Sequence, residues 1–361
     1  MDTDISARQR VFTGNIFIFH AYDVGDDMNL EAIRDKQLLI KRPLMLSKYF
    51  KNYHTPMAIE LPHPHESSKL MSAKLHNFGV ISLLYKIPFE QTLEELRTEL
   101  NTISDEFVEQ SVVDAGSIFK RIKSEVKQAK FFHLRRAYTV IQIDPEPETM
   151  DVVRLKEEYG NLITSILRFE TEALSEYQRN EILETALGYY RGDLIVIDTE
   201  ATFMYDDEYE ELLDLFEFAN MQQLELQYYD RVLDQQLNVV YEREIKTLPL
   251  KSYLPLVGAW TTDTIGALGK LKVDISVITE RLENSIKLAG ETYYSELYSL
   301  LVEKLDIANW RESINRKLDI IKDVSMVYEN KVDALREDLL SILIIVLIFI
   351  EMTVGILHYL K

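Results

Sequence analysis

His63, His65 and Glu66 stand within the segment HPHE, and no other stretch brings imidazoles and a carboxylate so close together. A zinc site needs three or four committed ligands, and an i, i+2 histidine pair around Pro64 supplies neither the third nor the fourth. The segment therefore reads as a loop, and no metal is expected there. The acids of residues 198–211 are a second candidate, but they lack the alternating ligands and central glycine of a calcium loop. Carboxylates in the first turn of a helix are stabilised by its partial positive end, which accounts for this run without a cation. The 361 residues contain no cysteine, so thiolate nucleophiles, thiolate metal sites and disulfides are excluded. Phosphate-cradling glycine loops, nucleophile elbows and zinc-protease helices are also missing from the sequence. The expectation is a protein without enzymatic activity and without a cofactor.

Two other groups of residues could recognise something. The segment FKRIKSEVKQAKFFHLRRAY, residues 119–138, sets seven Lys or Arg against Glu125 in a chain whose formal charge is −20. Lys120, Arg121, Lys123, Lys127, Arg135 and Arg136, interleaved with Phe119, Phe131, Phe132 and Tyr138, have the composition of a patch for RNA or anionic lipid. A solvated helix face has the same composition and is the favoured reading, because so acidic a chain resists broad attraction to phosphate backbones. The second group is a single residue, Glu351, inside LLSILIIVLIFIEMTVGILHYL, residues 339–360. At about 1.5 Å per residue this run crosses the roughly 30 Å hydrocarbon core of a bilayer. A charge at its middle costs at least ~2.5–3.5 kcal/mol, so Glu351 reads as a hydrogen-bonded contact between helices of an oligomer.

The elements that would position these residues follow from hydrophobic spacing. Ile314, Leu318, Ile321, Tyr328, Val332 and Leu335 step by four and three, a heptad seam running straight into the apolar run. Together they predict a coiled-coil stalk entering a membrane. MDTDISARQR has no apolar signal-peptide core, so the span is expected to act as a tail anchor. Lys322, Lys331 and Arg336 precede it and Lys361 follows it, which places the bulk of the chain on the cytosolic side or its matrix equivalent. Upstream, residues 207–338 read as long antiparallel helices, with the fourth starting at an Asn309–Glu312 capping box and the third spanning residues 271–307. The apolar loop at residues 247–270 is either a hairpin apex packed on protein or a membrane-surface loop anchored by Tyr253 and Trp260. Residues 1–206 form the α+β part, in the order strand, helix, strand, strand, helix, strand. That order predicts a ferredoxin-like sandwich, with a tight turn at residues 76–79 where Asn77 and Gly79 tolerate positive φ.

Two blocks resemble the "required for meiotic nuclear division" family. The first is residues 194–237, where a strand is followed by Asp198-Thr199-Glu200-Ala201-Thr202-Phe203 and an acidic helix start. The second is residues 314–357, with an Asn315-Arg316-Lys317-Leu318-Asp319 helix and an apolar tail interrupted by Glu351. Here Leu339-Leu340-Ser341 stands where that family has Leu-Glu-Trp. The resemblance implies a membrane-tethered α+β domain with an organising role, without enzymatic activity; mitochondrial relatives support translation at the inner membrane. The function expected from all of this is a self-associating membrane scaffold that positions a protein partner. An RNA or ribosome tether acting through residues 119–138 is the alternative, and an enzyme with a polar pocket beside the helix that starts near Asp206 ranks below both.

Overall fold

The computed structural model describes residues 10–44, 50–51, 56–60, 69–131, 134–146, 150–190, 192–244, 269, 272–273, 275–276, 287–288 and 292–359. The chain divides into two compact units, Met1–Tyr228 with Glu280–Trp310, and Tyr229–Thr279 with Arg311–Lys361.

The first unit is built on one long strand, β1 (Val11–Asp23), and in chain order continues through β2 (Asp27–Met28), α1 (Leu30–Asp35), β3 (Phe50–Lys51), β4 (Met57–Ala58), β5 (Leu70–Leu75) and β6 (Val80–Thr92). Helix α2 (Leu93–Ile122), β7 (Val126–Lys127), β8 (Arg135–Ile143), α3 (Val152–Leu167), α4 (Glu176–Glu184), β9 (Leu194–Ile197) and β10 (Ala201–Tyr205) follow. Then come α5 (Glu210–Glu244), β11 (Lys287–Leu288), α6 (Thr292–Lys304) and α7 (Ile307–Tyr359). Seven strands form one mixed sheet in the order β4-β5-β6-β1-β8-β10-β9. Strand β1 pairs antiparallel with β6 from Val11↔Thr92 to Asp23↔Val80, and antiparallel with β8 from Gly14↔Ile143 to Tyr22↔Arg135. Only β8 and β10 run parallel in this sheet, because α3 and α4 carry the chain back between them.

Both faces of the sheet are covered. Ile16, Ile18 and Tyr22 face a core shared with Leu96, Phe107, Ile118, Leu155 and Ile163 of α2 and α3. On the opposite face Ala21 packs with Phe218, Met221 and Leu224 of α5, Tyr138 stacks on Phe216 at 6.0 Å, and Phe17 meets Tyr209 at 5.2 Å. A strand buried on both sides has no solvent face, so residues 16–24 are buried without interruption. Local chemistry sets the boundaries. Thr92 caps α2 by accepting from the Glu95 N–H at 3.2 Å, while Glu95 Oε2 accepts from the Thr92 N–H at 2.9 Å. At the β5–β6 turn Gly79 has φ +93, and a Cβ there would lie 1.7 Å from the Gly25 carbonyl oxygen. Asn77 is not among the residues with positive φ.

Several sequence expectations need correcting. The α+β class holds, and the expected order of strand, helix, strand, strand, helix, strand is found as β1, α1, β5, β6, α2 and β8, but the sheet is larger than that unit, with β4 added at one edge and β10 and β9 at the other. Strand β10 was unexpected, because its Ala201–Tyr205 segment follows the acidic turn that reads as a helix approach. The expected third helix is interrupted: Lys287–Leu288 pairs antiparallel with Phe50–Lys51, and α6 starts only at Thr292. The capping box at Asn309 is not formed. Asn309 lies inside α7 and donates its Nδ2 to Asp306 Oδ1 at 2.5 Å, and it is Asp306, with φ 56, that precedes the helix.

In the second unit, α5 and α7 touch through Asp230 and Asp234. Ser313 Oγ lies 2.7 Å from Asp230 Oδ1, and Lys317 Nζ lies 2.7 Å from Asp230 Oδ1 and 2.6 Å from Asp234 Oδ1. Partners rise together along both helices, so these two run parallel where they meet. Leu233, Leu237, Ile314, Leu318 and Ile321 are buried beside these contacts.

Candidate functional site

The carboxyl-terminal part of α7 is the most distinctive surface. Residues Glu337–His358 form a 22-residue helical stretch long and apolar enough to cross a membrane, with none of it buried. Leu340 is 58% exposed, Phe349 67% and Leu357 67%, values foreign to apolar side chains of a water-soluble fold. Its backbone is satisfied internally, and the Thr353 hydroxyl donates within the helix to the Phe349 and Ile350 carbonyls at 2.9 and 2.8 Å. Glu337 and Asp338 stand at the start of this stretch and His358 at its end, whereas Glu351 lies within the apolar run; it is exposed and has no ion-pair partner among the described residues.

Of the stalk seam, Ile314, Leu318 and Ile321 are buried in the second unit. The side chains of Tyr328, Val332 and Leu335 lie outside the described residues, as do Tyr253, Trp260 and the HPHE segment. The basic residues are divided among elements. Lys120 and Arg121 end α2, Lys123 sits in a short 3-10 turn, Lys127 in β7, and all four are exposed. Arg135 is exposed at the start of β8, but Arg136 is half-buried, donating to the Thr199 carbonyl at 2.9 Å with Glu200 at 3.7 Å. Of the aromatics interleaved with them, Phe132 lies outside the described residues and Phe119, Phe131 and Tyr138 pack toward the core. Phe131 stacks on Phe119 at 5.3 Å and on Tyr22 at 6.0 Å, while the Tyr138 hydroxyl is buried against Thr202 at 2.8 Å.

Several acids of residues 198–211 have structural tasks. Asp198 is buried and ion-paired with Arg168; burial raises its carboxyl above the ordinary range, opposed by the Thr199 N–H and the Arg168 guanidinium. Asp206 Oδ1 accepts from the Glu208 N–H at 2.8 Å, and Glu210 and Glu211 occupy the first turn of α5. Among the described residues no group of three or more His, Cys, Asp or Glu could hold a metal. A polar cleft of about 610 Å³ opens between α2, the α3–α4 connection and the β9–β10 turn, lined by Asn101, Ser104, Arg168, Gln178, Thr199 and Glu200 among others. Its lining has hydrogen-bonding groups but no histidine or lysine to serve as base for Ser104 or Thr199. Its lining residues include none of α5, the helix beside which a polar pocket would have favoured an enzyme.

Buried charge that the pattern did not single out lies on the other face of the sheet. Lys74, on β5, reaches Glu217 at 2.6 Å and Asp214 at 3.0 Å on α5. Burial alone would lower this ammonium, but the two carboxylates outweigh it and hold it raised. The signal was present in the sequence, since α5 carries Asp214 and Glu217 among its apolar positions, but only a partner on another element explains them.

The family model described as "Uncharacterized protein MJ0711, N-terminal domain" matches residues 13–211, more than half of the chain. The chain belongs to this family. A protein of Methanocaldococcus jannaschii, "Uncharacterized protein MJ0711", is 24% identical over 208 residues, which cover 55% of this chain and 60% of that protein. The match thus spans less than two thirds of that relative's length. No solved structure matches the chain. Membership of the MJ0711 family overturns the resemblance to the "required for meiotic nuclear division" family, which no comparison supports. That resemblance rested on an acidic helix start and an apolar helix, patterns that solvation and lipid impose on unrelated sequences. The MJ0711 match instead covers the sheet with α1–α4, includes the polar cleft, and stops at the start of α5.

Proposed function

We propose that the protein is a single-span membrane scaffold, held at the bilayer by Glu337–His358 and self-associating, which places a protein partner on the cytosolic side or its matrix equivalent. The observation that carries this reading is the 22-residue apolar helix with no part buried. At about 25 cal/mol per Å² of apolar surface, a fully exposed helix of this kind is strongly driven out of water. Lys322, Lys331 and Arg336 before it and Lys361 after it support the orientation. On this reading the chain catalyses nothing and needs no cofactor. The test is flotation of the full chain with liposomes, set against a variant ending at residue 336. The full chain should float and the shortened one remain behind; equal flotation of the two sinks the anchor.

A second reading, an RNA or ribosome tether, is favoured by the exposure of Lys120, Arg121, Lys123 and Lys127 around the end of α2. The packing of half-buried Phe131 on Tyr22 and the burial of Tyr138 rank it below the scaffold, because base stacking needs exposed rings. It requires RNA binding that weakens with salt and disappears when those four residues are made neutral. Binding that survives their neutralisation removes it.

A further inference from the structure

Within the apolar helix, Leu340, Ile344, Leu347, Glu351, Val354 and His358 recur at spacings of four and three, and all are exposed. At about 100° per residue they form one stripe along the helix. This stripe does not continue the stalk seam. Ile314, Leu318 and Ile321 are buried, and the same spacing carries their line on through Leu339, Ile342, Val346, Phe349 and Thr353. Glu351 lies roughly 160–200° around the helix from Phe349 and Thr353, so whatever packs on the stalk line leaves the Glu351 side open. Gly355 adjoins the stripe, about 40° from Glu351. A Cβ placed at Gly355 meets nothing within 4 Å, so the chain's own packing does not require a glycine where helix propensity disfavours one. A small residue there does let a second helix come close.

We propose that this stripe is the contact between two copies of the chain inserted in the same direction, with their Glu351 carboxyl groups hydrogen-bonded to one another. This rests on the anchoring reading above and specifies the face, the partner and the atoms. Insertion in one direction sets each residue at the same depth as its counterpart, so Glu351 meets Glu351. A carboxyl group can both donate and accept, which makes the pair self-complementary, whereas acyl chains offer neither donor nor acceptor. A polar position within an apolar seam also fixes register and strand number.

The chain has no cysteine, so single cysteines can be introduced without background. Leu347→Cys and Val354→Cys report on the stripe, and Phe349→Cys on the opposite side. Each full-length variant is reconstituted in phosphatidylcholine liposomes and oxidised. Disulfide-linked dimer should form several-fold more at positions 347 and 354 than at 349. Adding Glu351→Leu should abolish that preference, while Glu351→Gln, whose amide also donates and accepts, should keep it. Equal yields on both sides, monomer throughout, or a preference unchanged by Glu351→Leu overturns the seam. If these chains float with the liposomes, only the seam is lost; if the unmodified chain fails to float, the anchor is overturned and the seam with it.

Discussion

Lys74 shows how a polar residue can be structural in a buried layer. Its side chain is 9% exposed and its two carboxylate partners come from a helix some 140 residues away in sequence. Removing one member of such a group leaves charge buried without compensation, so Lys74→Ala should cost ~3–5 kcal/mol in urea unfolding. A Lys74→Met, Asp214→Asn, Glu217→Gln chain should lose much less. Titration of buried groups is also predictable in sign. Burial lowers the His20 and His76 imidazoles from 6.5 to about 3, with Arg135 and Lys74 adding to the effect. Unfolded histidines take up protons below pH 6.5 that the folded ones refuse, so both withdraw stability as pH falls from there toward 3. Asp23 acts the other way. Burial, with Asp26 nearby, raises its carboxyl from 3.8 to about 7 against the Gly25 N–H at 3.0 Å, so its ionisation withdraws stability as pH rises from 4 toward 7. Two histidines outweigh one acid, and net stability should decline between about pH 6 and 4, at up to ~1.4 kcal/mol per pH unit. Asp23→Asn should steepen that acid decline and stabilise the fold at pH 8. Denaturant midpoints measured across that range check both statements.

At the level of elements, the Thr92–Glu95 capping box fixes the start of the 30-residue α2, and Thr92→Ala should cost ~0.5–2 kcal/mol. Gly79→Ala should cost at least ~2 kcal/mol, since an L residue there is strained at φ +93 and meets the Gly25 carbonyl oxygen. Thermal unfolding of the two variants ranks them. The strands β1, β5, β6 and β8 were legible because β-branched and aromatic runs ended in turn residues. Strand β10 was not, because five residues beside acids carry too little pattern. Its position is settled by pairing with β8, from Ala201↔Thr139 to Tyr205↔Ile143. The direction of α5 against α7 was equally hidden, since parallel and antiparallel neighbours show the same apolar spacing.

For the whole molecule, the two ends of the property scale are separated along the chain. The residues that build the sheet and its two helical layers form buried clusters on both faces of the sheet, whereas Leu340 to Leu357 belong to neither of them. Ending the chain at residue 336 should therefore leave the melting temperature of the sheet unit within about 2 °C of the full chain's, measured in detergent, while flotation is lost. A large drop in melting temperature would show instead that the apolar helix belongs to a water-soluble core. The matched family region, residues 13–211, does not include that helix.

The sequence by itself determined whatever depends on near neighbours: the apolar helix and its lone acid, the absence of thiol chemistry, the capped start of α2 and most of the strands. These follow from spacing and residue type, which act over a few residues. Tertiary structure alone decided strand order, the burial of both sheet faces, the Lys74–Glu217–Asp214 cluster, and which basic residues stay exposed. Those outcomes depend on segments more than a hundred residues apart meeting in space, and local composition carries no record of which distant surface will cover it.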